Sequence, residues 1–287
     1  MLLLAVGAGT ALYAVTNVMT EDHTPPVITV DSEVLEVSVG YTQEDLLRGV
    51  TAKDDRDGDV TGSIVVEQIA DIAPDHTAQI TYAAFDRSGN VKKAKRTLSL
   101  RDYESPRFLQ KRALVMPEGT NEDVLGYMGA MDLIDGDISG HIKGNLVSDT
   151  VSLSRAGAHQ VEFRVTNSMG DTAKITLPVD VYPVTVYNAS VQLSEYLVYL
   201  PKGSAFHPEK YLKSLTVGSL SYSLRGDDPD VEVLINRTEP GSARHVMQVD
   251  MIDSVNPAVP GIYSVVYTVT MNDQYAGFTR LNVIVEE

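Results

Sequence analysis

Two short acidic phrases carry the residues of this sequence that are best suited to chemistry. Residues 54–59 read DDRDGD, and residues 132–137 read DLIDGD. Carboxylate oxygens are ligands that Ca²⁺ prefers, and several carboxylates in one loop repel one another unless a cation or a basic group neutralises them. The phrases therefore predict a calcium site in each loop. The predicted ligands are Asp54, Asp57, Asp59, Asp132, Asp135 and Asp137.

The same phrases have a second interpretation as structural turns that require no cofactor. Asp and Gly are common turn residues, and an Asp side chain readily accepts hydrogen bonds from nearby backbone N–H groups. The spacing also differs from an EF-hand loop, which has glycine after the third ligand, whereas here Val60 follows Asp59. The sequence leaves the turn and the calcium site as alternatives.

The acidic phrase is part of an internal repeat. Its two copies are offset by 135 − 57 = 78 residues. A second phrase, DRSGN at residues 86–90, is answered by NSMGD at residues 167–171, with an offset of 167 − 86 = 81. Two phrases that recur in the same order at nearly the same spacing indicate tandem domains.

The repeat predicts three modules after a short N-terminal segment, residues 1–20. We call residues 21–101 module one, residues 102–182 module two and residues 183–287 module three. Module three lacks the acidic phrase, but its segment 261–269 has the same alternating pattern as segment 157–165 of module two. The linkers are very short, which predicts a semi-rigid rod rather than modules on flexible tethers.

Short runs rich in β-branched and aromatic residues, bounded by Gly, Pro, Asn and Asp, predict antiparallel strands with one buried face. Examples are residues 27–30, 34–39, 79–84, 161–165 and 264–269. Short helical turns are expected at residues 43–48, 122–128 and 208–215. The predicted fold class is all-β, with tandem immunoglobulin-like β-sandwiches after an N-terminal hydrophobic helix.

The first 19 residues are uncharged and mostly apolar, and an acidic segment follows them. About 20 apolar residues span a bilayer, so this segment is predicted to be a membrane anchor. The alternative is a secretion signal that is cleaved near Ala14, in which case the protein is secreted. Both interpretations place residues 21–287 outside the cytoplasm, at the cell surface if the anchor is retained.

Composition and motifs exclude several classes of function. The net charge of −16 argues against nucleic-acid binding, which requires clusters of Lys and Arg. The absence of cysteine removes disulfides, thiolate nucleophiles and Cys-ligated zinc. The six histidines are dispersed, and the sequence has no Gly-x-Ser-x-Gly elbow or phosphate-binding loop. The protein is therefore expected not to be an enzyme.

Modules one and two resemble bacterial immunoglobulin-like surface domains of the hyalin-repeat-like type. In module one the resemblance rests on PPVI at residues 25–28, AKDDRDGDVT at residues 52–61 and the strand and turn at residues 82–90. Module two keeps AMDLIDGDIS at residues 130–139 but departs from the pattern at its late turn, and module three is a divergent copy. The resemblance implies immunoglobulin-like sandwiches on a bacterial surface, where they act as spacers or adhesion modules.

Three hypotheses for function follow from these observations. The first is a non-enzymatic surface stalk that presents module three for adhesion or protein interaction. The second is a spacer subunit of a cell-envelope complex, and the third is a glycan-binding accessory module. The expected partner is a protein or glycan at the cell surface, in addition to the membrane that residues 1–19 would enter.

Overall fold

The structure is a computed structural model, and it describes most of the chain after residue 21. The described ranges are residues 22–119, 123–146, 155–183, 189–217, 220–223, 232–234, 246–271 and 274–287. The hydrophobic helix predicted at residues 1–20 lies outside these ranges. Within them, no helix has both the length and the apolar character needed to cross a bilayer.

Module one is built from two β-sheets. Its strands are β1 (Val27–Val30), β2 (Val34–Val37), β3 (Val50–Asp54), β4 (Gly58–Asp59), β5 (Val65–Ile69), β6 (Thr77–Phe85) and β7 (Val91–Leu100). One sheet has the order β1-β3-β4 and the other has the order β2-β7-β6-β5. Strand β2 pairs in parallel with β7, and the other pairs are antiparallel. This two-sheet arrangement is typical of immunoglobulin-like sandwiches.

Alternation along the strands places one face of each sheet in the core of module one. In β6, Ile80 and Tyr82 are fully buried, and Leu98 of β7 is buried with them. The Tyr82 hydroxyl donates a hydrogen bond to the carbonyl oxygen of Leu46 at 2.7 Å, so its polar end is satisfied inside the core. Burial raises the pKa of Tyr82.

The predicted helical turn near residue 43 is confirmed as the short helix α1 (Gln43–Leu47). Thr42 caps its N-terminus by accepting a hydrogen bond from the backbone N–H of Asp45, and the Asp45 carboxylate accepts one from the Thr42 N–H. This reciprocal pair is a capping box, which satisfies two backbone donors that the first turn leaves free.

Module two repeats the sheet pattern of module one. Its strands are β8 (Arg107–Gln110), β9 (Val115–Pro117), β10 (Met128–Asp132), β11 (Gly136–Asp137), β12 (Lys143–Leu146), β13 (Gly157–Thr166) and β14 (Thr172–Tyr182). The sheets have the orders β11-β10-β8 and β12-β13-β14-β9, and β9 pairs in parallel with β14. The helical turn predicted at residues 122–128 is a 3₁₀ turn at Val124–Tyr127.

Module three also contains two sheets in its described residues. Its strands are β15 (Ala189–Leu193), β16 (Leu197–Leu200), β17 (Leu212–Val217), β18 (Leu220–Ser223), β19 (Glu232–Leu234), β20 (Val246–Asp253), β21 (Gly261–Met271) and β22 (Gln274–Val285). The sheet orders are β15-β17-β18 and β16-β22-β21-β20-β19, with β16 parallel to β22. The helical turn expected at residues 208–215 is shorter than predicted, because β17 begins directly after a 3₁₀ turn at Pro208–Tyr211.

The chain divides into two compact units. One contains the residues up to 105 together with residues 168–171, and the other contains residues 106–167 and 172–287. The second unit holds two hydrophobic cores, one centred on Phe163 and Leu177 of module two and one on Tyr267 and Leu281 of module three. Leu197 of module three packs into the core of module two, so the two modules are joined by apolar contact.

Candidate metal centre

Both acidic phrases form the same tight hairpin. In module one the hairpin joins β3 to β4, with Asp54 opposite Gly58. In module two it joins β10 to β11, with Asp132 opposite Gly136. Both glycines have a left-handed backbone, with φ of 73° and 71°, which residues with a side chain rarely adopt. The prediction that the phrases form turns is confirmed.

The first aspartate of each phrase closes its hairpin in the same way. Asp54 Oδ1 accepts hydrogen bonds from the backbone N–H groups of Arg56 and Asp57, both at 2.9 Å. Asp132 Oδ1 accepts the equivalent bonds from Ile134 and Asp135 at 2.8 and 2.9 Å. An aspartate that binds the following backbone in this way stabilises the turn, whatever its second oxygen does.

The last aspartate of each phrase serves the backbone that follows it. Asp59 Oδ1 accepts a hydrogen bond from the N–H of Thr61 at 2.9 Å, and Asp137 Oδ1 accepts one from the N–H of Ser139 at 2.9 Å. Side-chain and backbone hydrogen bonds from Thr61 and Ser139 lower the pKa of Asp59 and Asp137, respectively. These two carboxylates are exposed and act as caps of the next short turn.

The middle aspartate of module one also has a local role. Asp57 Oδ2 accepts a hydrogen bond from the backbone N–H of Arg87 at 2.7 Å. The Arg87 guanidinium lies 4.0 Å from the other oxygen of the same carboxylate. Asp57 therefore ties the acidic hairpin to the turn after β6.

The structure brings Asp54 together with two aspartates from outside its own phrase. Asp22, Asp54 and Asp86 each offer one carboxylate oxygen, and these oxygens lie within 4.8 Å of one another. The three residues are buried, with exposed fractions of 8%, 3% and 8%. They are the one group of three or more potential metal ligands in the described residues.

Three separate segments position these carboxylates. Asp22 precedes β1, Asp54 ends β3, and Asp86 follows β6. Because β1 pairs with β3 so that Val27 lies opposite Lys53, the residues before β1 pass close to the end of β3. The site therefore depends on pairing between strands that are distant in sequence.

Asn90 holds two members of the group in place. Its Nδ2 donates to Asp86 Oδ2 at 2.7 Å and to the backbone carbonyl oxygen of Asp22 at 2.9 Å, and its backbone N–H donates to Asp86 Oδ1 at 2.8 Å. Burial raises the pKa of Asp86, but the hydrogen bonds from Asn90 and neighbouring backbone outweigh burial, so its pKa lies below the ordinary value. Asp22 Oδ1 accepts a hydrogen bond from the N–H of Thr24 at 2.9 Å.

One oxygen of the group has no protein partner. Asp54 Oδ2 is buried, and no described residue gives it a hydrogen bond. No ion pair within the described residues involves any of the three carboxylates. A buried polar atom without a partner costs about 1–3 kcal/mol, and more when it is charged. The arrangement is therefore suited to a ligand that supplies positive charge to Asp54 Oδ2.

The corresponding position in module two is satisfied by the protein itself. Asp132 and Asn167 are both buried, and Asn167 Nδ2 donates to Asp132 Oδ2 at 3.0 Å. Asn167 stands where module one has Asp86, so an amide replaces one of the carboxylates. The residue at the position of Asp22, by 102 − 22 = 80, is Asp102, which is exposed and accepts a hydrogen bond from Val39 N–H.

The sequence argument placed Asp54 at a candidate site but gave it the wrong neighbours. Among the described residues, the group that the structure brings together includes neither Asp57 nor Asp59. Asp86 was visible in the repeated late phrase, where it suggested only a turn. Its recurrence at a fixed distance after the acidic phrase was the signal that could have linked the two.

Comparisons with known proteins give only partial matches. No family model matches the chain. A segment of 104 residues is 36% identical to an uncharacterized 81.3 kDa protein of Acholeplasma phage L2. The match covers 36% of this chain and 13% of the phage protein, so the chain corresponds to a small part of that protein.

Similar solved structures are multi-domain β proteins. One contains the CBM51-2 domain in complex with GlcNAc and the INT domains of Clostridium perfringens ZmpB, with 12% identity, 91% of this chain and 41% of that chain covered and a TM-score of 0.22. Another is Drosophila N-cadherin EC1-4, with 11% identity, coverage of 93% and 76% and a TM-score of 0.22. The all-β, immunoglobulin-like assignment of this chain rests on its own sheets and strand order.

Proposed function

We propose that this protein is a non-enzymatic component of a bacterial cell surface. In this proposal the immunoglobulin-like modules form a stalk, held at the membrane by the N-terminal segment, that presents module three for adhesion or protein binding. The observation that carries the proposal is the junction between modules two and three. Buried polar contacts join these modules firmly, as a spacer that holds a binding module in place requires.

The strongest contact at this junction is an arginine–carboxylate pair. Arg280 of β22 donates through Nε to Asp180 Oδ2 at 2.7 Å and through Nη2 to Asp180 Oδ1 at 3.0 Å. Asp180 lies on β14 of module two, and both side chains are largely buried. The Arg280 Nη1 also donates to Ser264 Oγ at 2.9 Å. A two-point pair of this type fixes orientation as well as distance.

Further contacts surround this ion pair. Asn282 Nδ2 donates to Gln110 Oε1 at 2.9 Å, and both residues are buried. The Tyr199 hydroxyl accepts a hydrogen bond from the backbone N–H of Phe108 at 3.0 Å. Together with the apolar contact of Leu197, these bonds support a junction that keeps modules two and three in one arrangement.

The first experiment tests whether the modules lie outside the cell. The full chain would be produced with an epitope tag after Glu287 in a bacterium with a single membrane, and intact cells would be treated with a protease. We expect the tag to be lost from intact cells while a cytoplasmic marker survives. A tag that is removed only after lysis would contradict the surface location.

The second experiment tests module three as the binding module. Ile252, Val259 and Ile262 are exposed apolar side chains in its described residues. Cells that display the full chain should attach to a panel of immobilised surface proteins, and cells that display the I252S/V259S/I262S variant should attach less. Equal attachment by cells that lack the chain would contradict adhesion, and attachment to glycans instead of proteins would favour the glycan-binding alternative.

A further inference from the structure

We propose that module one binds one hard divalent cation, best fitted by Ca²⁺, through Asp22, Asp54 and Asp86. This site is different from the loop sites that the acidic phrases predict, because two of its three ligands come from other segments. It also goes beyond the proposed stalk function, which requires no metal.

The donor atoms select the class of ligand. All three side chains offer carboxylate oxygens, which suit Ca²⁺, Mg²⁺ and Mn²⁺ rather than metals that prefer sulfur or imidazole. Oxygens bound to one Ca²⁺ lie about 2.3–2.6 Å from it, so any two are separated by at most about 5 Å. The oxygens of this group lie within 4.8 Å of one another, which fits a shared Ca²⁺ better than the smaller Mg²⁺.

The free oxygen of Asp54 is the independent sign of a ligand. Because Asp54 Oδ1 already accepts two backbone hydrogen bonds, Oδ2 is the atom left to face the other carboxylates. Asp54 is 3% exposed, and no described residue donates to Oδ2. A cation at this position would satisfy an oxygen that neither water at the surface nor the described protein satisfies.

The surrounding hydrogen bonds favour the charged form of the carboxylates. Asp86 accepts two bonds from Asn90, and Asp22 accepts one from the Thr24 N–H. Donors aimed at a carboxylate stabilise it as an anion. Three buried anions so close together repel one another, and a cation removes that repulsion without protonating any of them.

Module two serves as an internal control for this inference. There Asn167 donates directly to Asp132 Oδ2, so the oxygen equivalent to the free one in module one has a protein partner. The amide also removes one negative charge from the group. We therefore expect one cation per chain, bound in module one and not in module two.

Isothermal titration of the purified full chain tests the site directly. The protein would be kept in a nonionic detergent, freed of metal with a chelator, and titrated with CaCl₂, MgCl₂ or ZnCl₂ in a buffer without phosphate. We expect one Ca²⁺ per chain, with Mg²⁺ bound at least tenfold more weakly. No binding of Ca²⁺ at millimolar concentration would overturn the proposal.

Asp86→Asn is the decisive variant, because it gives module one the amide that module two carries at this position. It should reduce Ca²⁺ affinity at least tenfold, and Asp22→Asn should do the same, which covers the case of a poorly folded Asp86 variant. Asp55→Asn is the matched control, since Asp55 is exposed and lies next to the site in sequence. Unchanged binding by both ligand variants, or an equal loss in Asp55→Asn, would overturn the site.

Discussion

Modules one and two share a hairpin but differ in what meets its first aspartate. In both, one oxygen of that aspartate binds two backbone N–H groups of the turn. The second oxygen of Asp132 accepts a hydrogen bond from Asn167, whereas the second oxygen of Asp54 faces Asp22 and Asp86 without a described partner. A change from carboxylate to amide at one position separates a self-sufficient turn from a site that calls for a cation.

The exchange extends to a second residue four positions later. Module one has Asp86 followed by Asn90, whereas module two has Asn167 followed by Asp171. The acid and the amide have therefore changed places between the copies. Duplicated modules can keep their turn geometry while one copy gains or loses a ligand group, because turn formation uses only one oxygen of the shared aspartate.

The largest effect is expected when module two is given the carboxylate of module one. Asn167→Asp would place two buried carboxylates in contact at Asp132, and without the third ligand no full cation site would form. An unpaired buried charge of this kind should lower the stability of module two by about 3 kcal/mol. Hydrogen–deuterium exchange measured on peptides of β10 and β13 would report the loss.

Asn145→Asp is the control for this change, because Asn145 is an exposed residue of the same module. It should alter exchange by much less than Asn167→Asp. Equal effects of the two variants would show that added charge, rather than the contact with Asp132, is responsible.

The next effect concerns metal removal. If Ca²⁺ binds only the folded module one, a concentration one hundred times the dissociation constant should stabilise that module by about 2.7 kcal/mol. Exchange in β3 and β6 should slow when Ca²⁺ replaces chelator, while exchange in β10 and β13 should stay the same. Equal protection of both modules would break the comparison, since module two has its amide in place of the cation.

A smaller effect is expected from the residue that holds the site together. Asn90→Ala removes the side-chain hydrogen bonds to the Asp86 carboxylate and to the Asp22 carbonyl oxygen. Because one acceptor is charged, the loss should be about 2 kcal/mol. Chemical unfolding followed by exchange in module one should show this loss, and Ca²⁺ affinity should fall but not vanish. A variant with unchanged stability and affinity would contradict the positioning role of Asn90.

The smallest effect is one that both modules should share. The pKa values of Asp59 and Asp137 are lowered in the fold, so both contribute stability above the unfolded pKa of about 3.9. This contribution should disappear as the pH falls through the lower folded pKa values. Asp59→Asn and Asp137→Asn should each flatten the acid side of the stability profile to a similar extent. A clear difference between them would show that the hairpins are not equivalent.

The sequence predicted much of the fold, because strands and turns depend on local patterns. The alternating segment at residues 161–165 lies inside β13, and the segment at residues 264–269 lies inside β21. The left-handed glycines Gly58 and Gly136 were readable from the repeated phrase, since few other residues accept that backbone. The helical turn near residue 208 was predicted too long, because polar spacing does not reveal where the next strand begins to pair.

The sequence by itself determined the duplication, the strands and the hairpin that each acidic phrase forms. These features follow from composition and spacing over fewer than about ten residues. Only the tertiary structure decided which carboxylates meet. Asp22 and Asp86 each lie 32 residues from Asp54, by 54 − 22 = 32 and 86 − 54 = 32, and strand pairing brings all three together. The neighbours of a buried charge are set by that pairing, and it is those neighbours that distinguish a metal ligand from a turn residue.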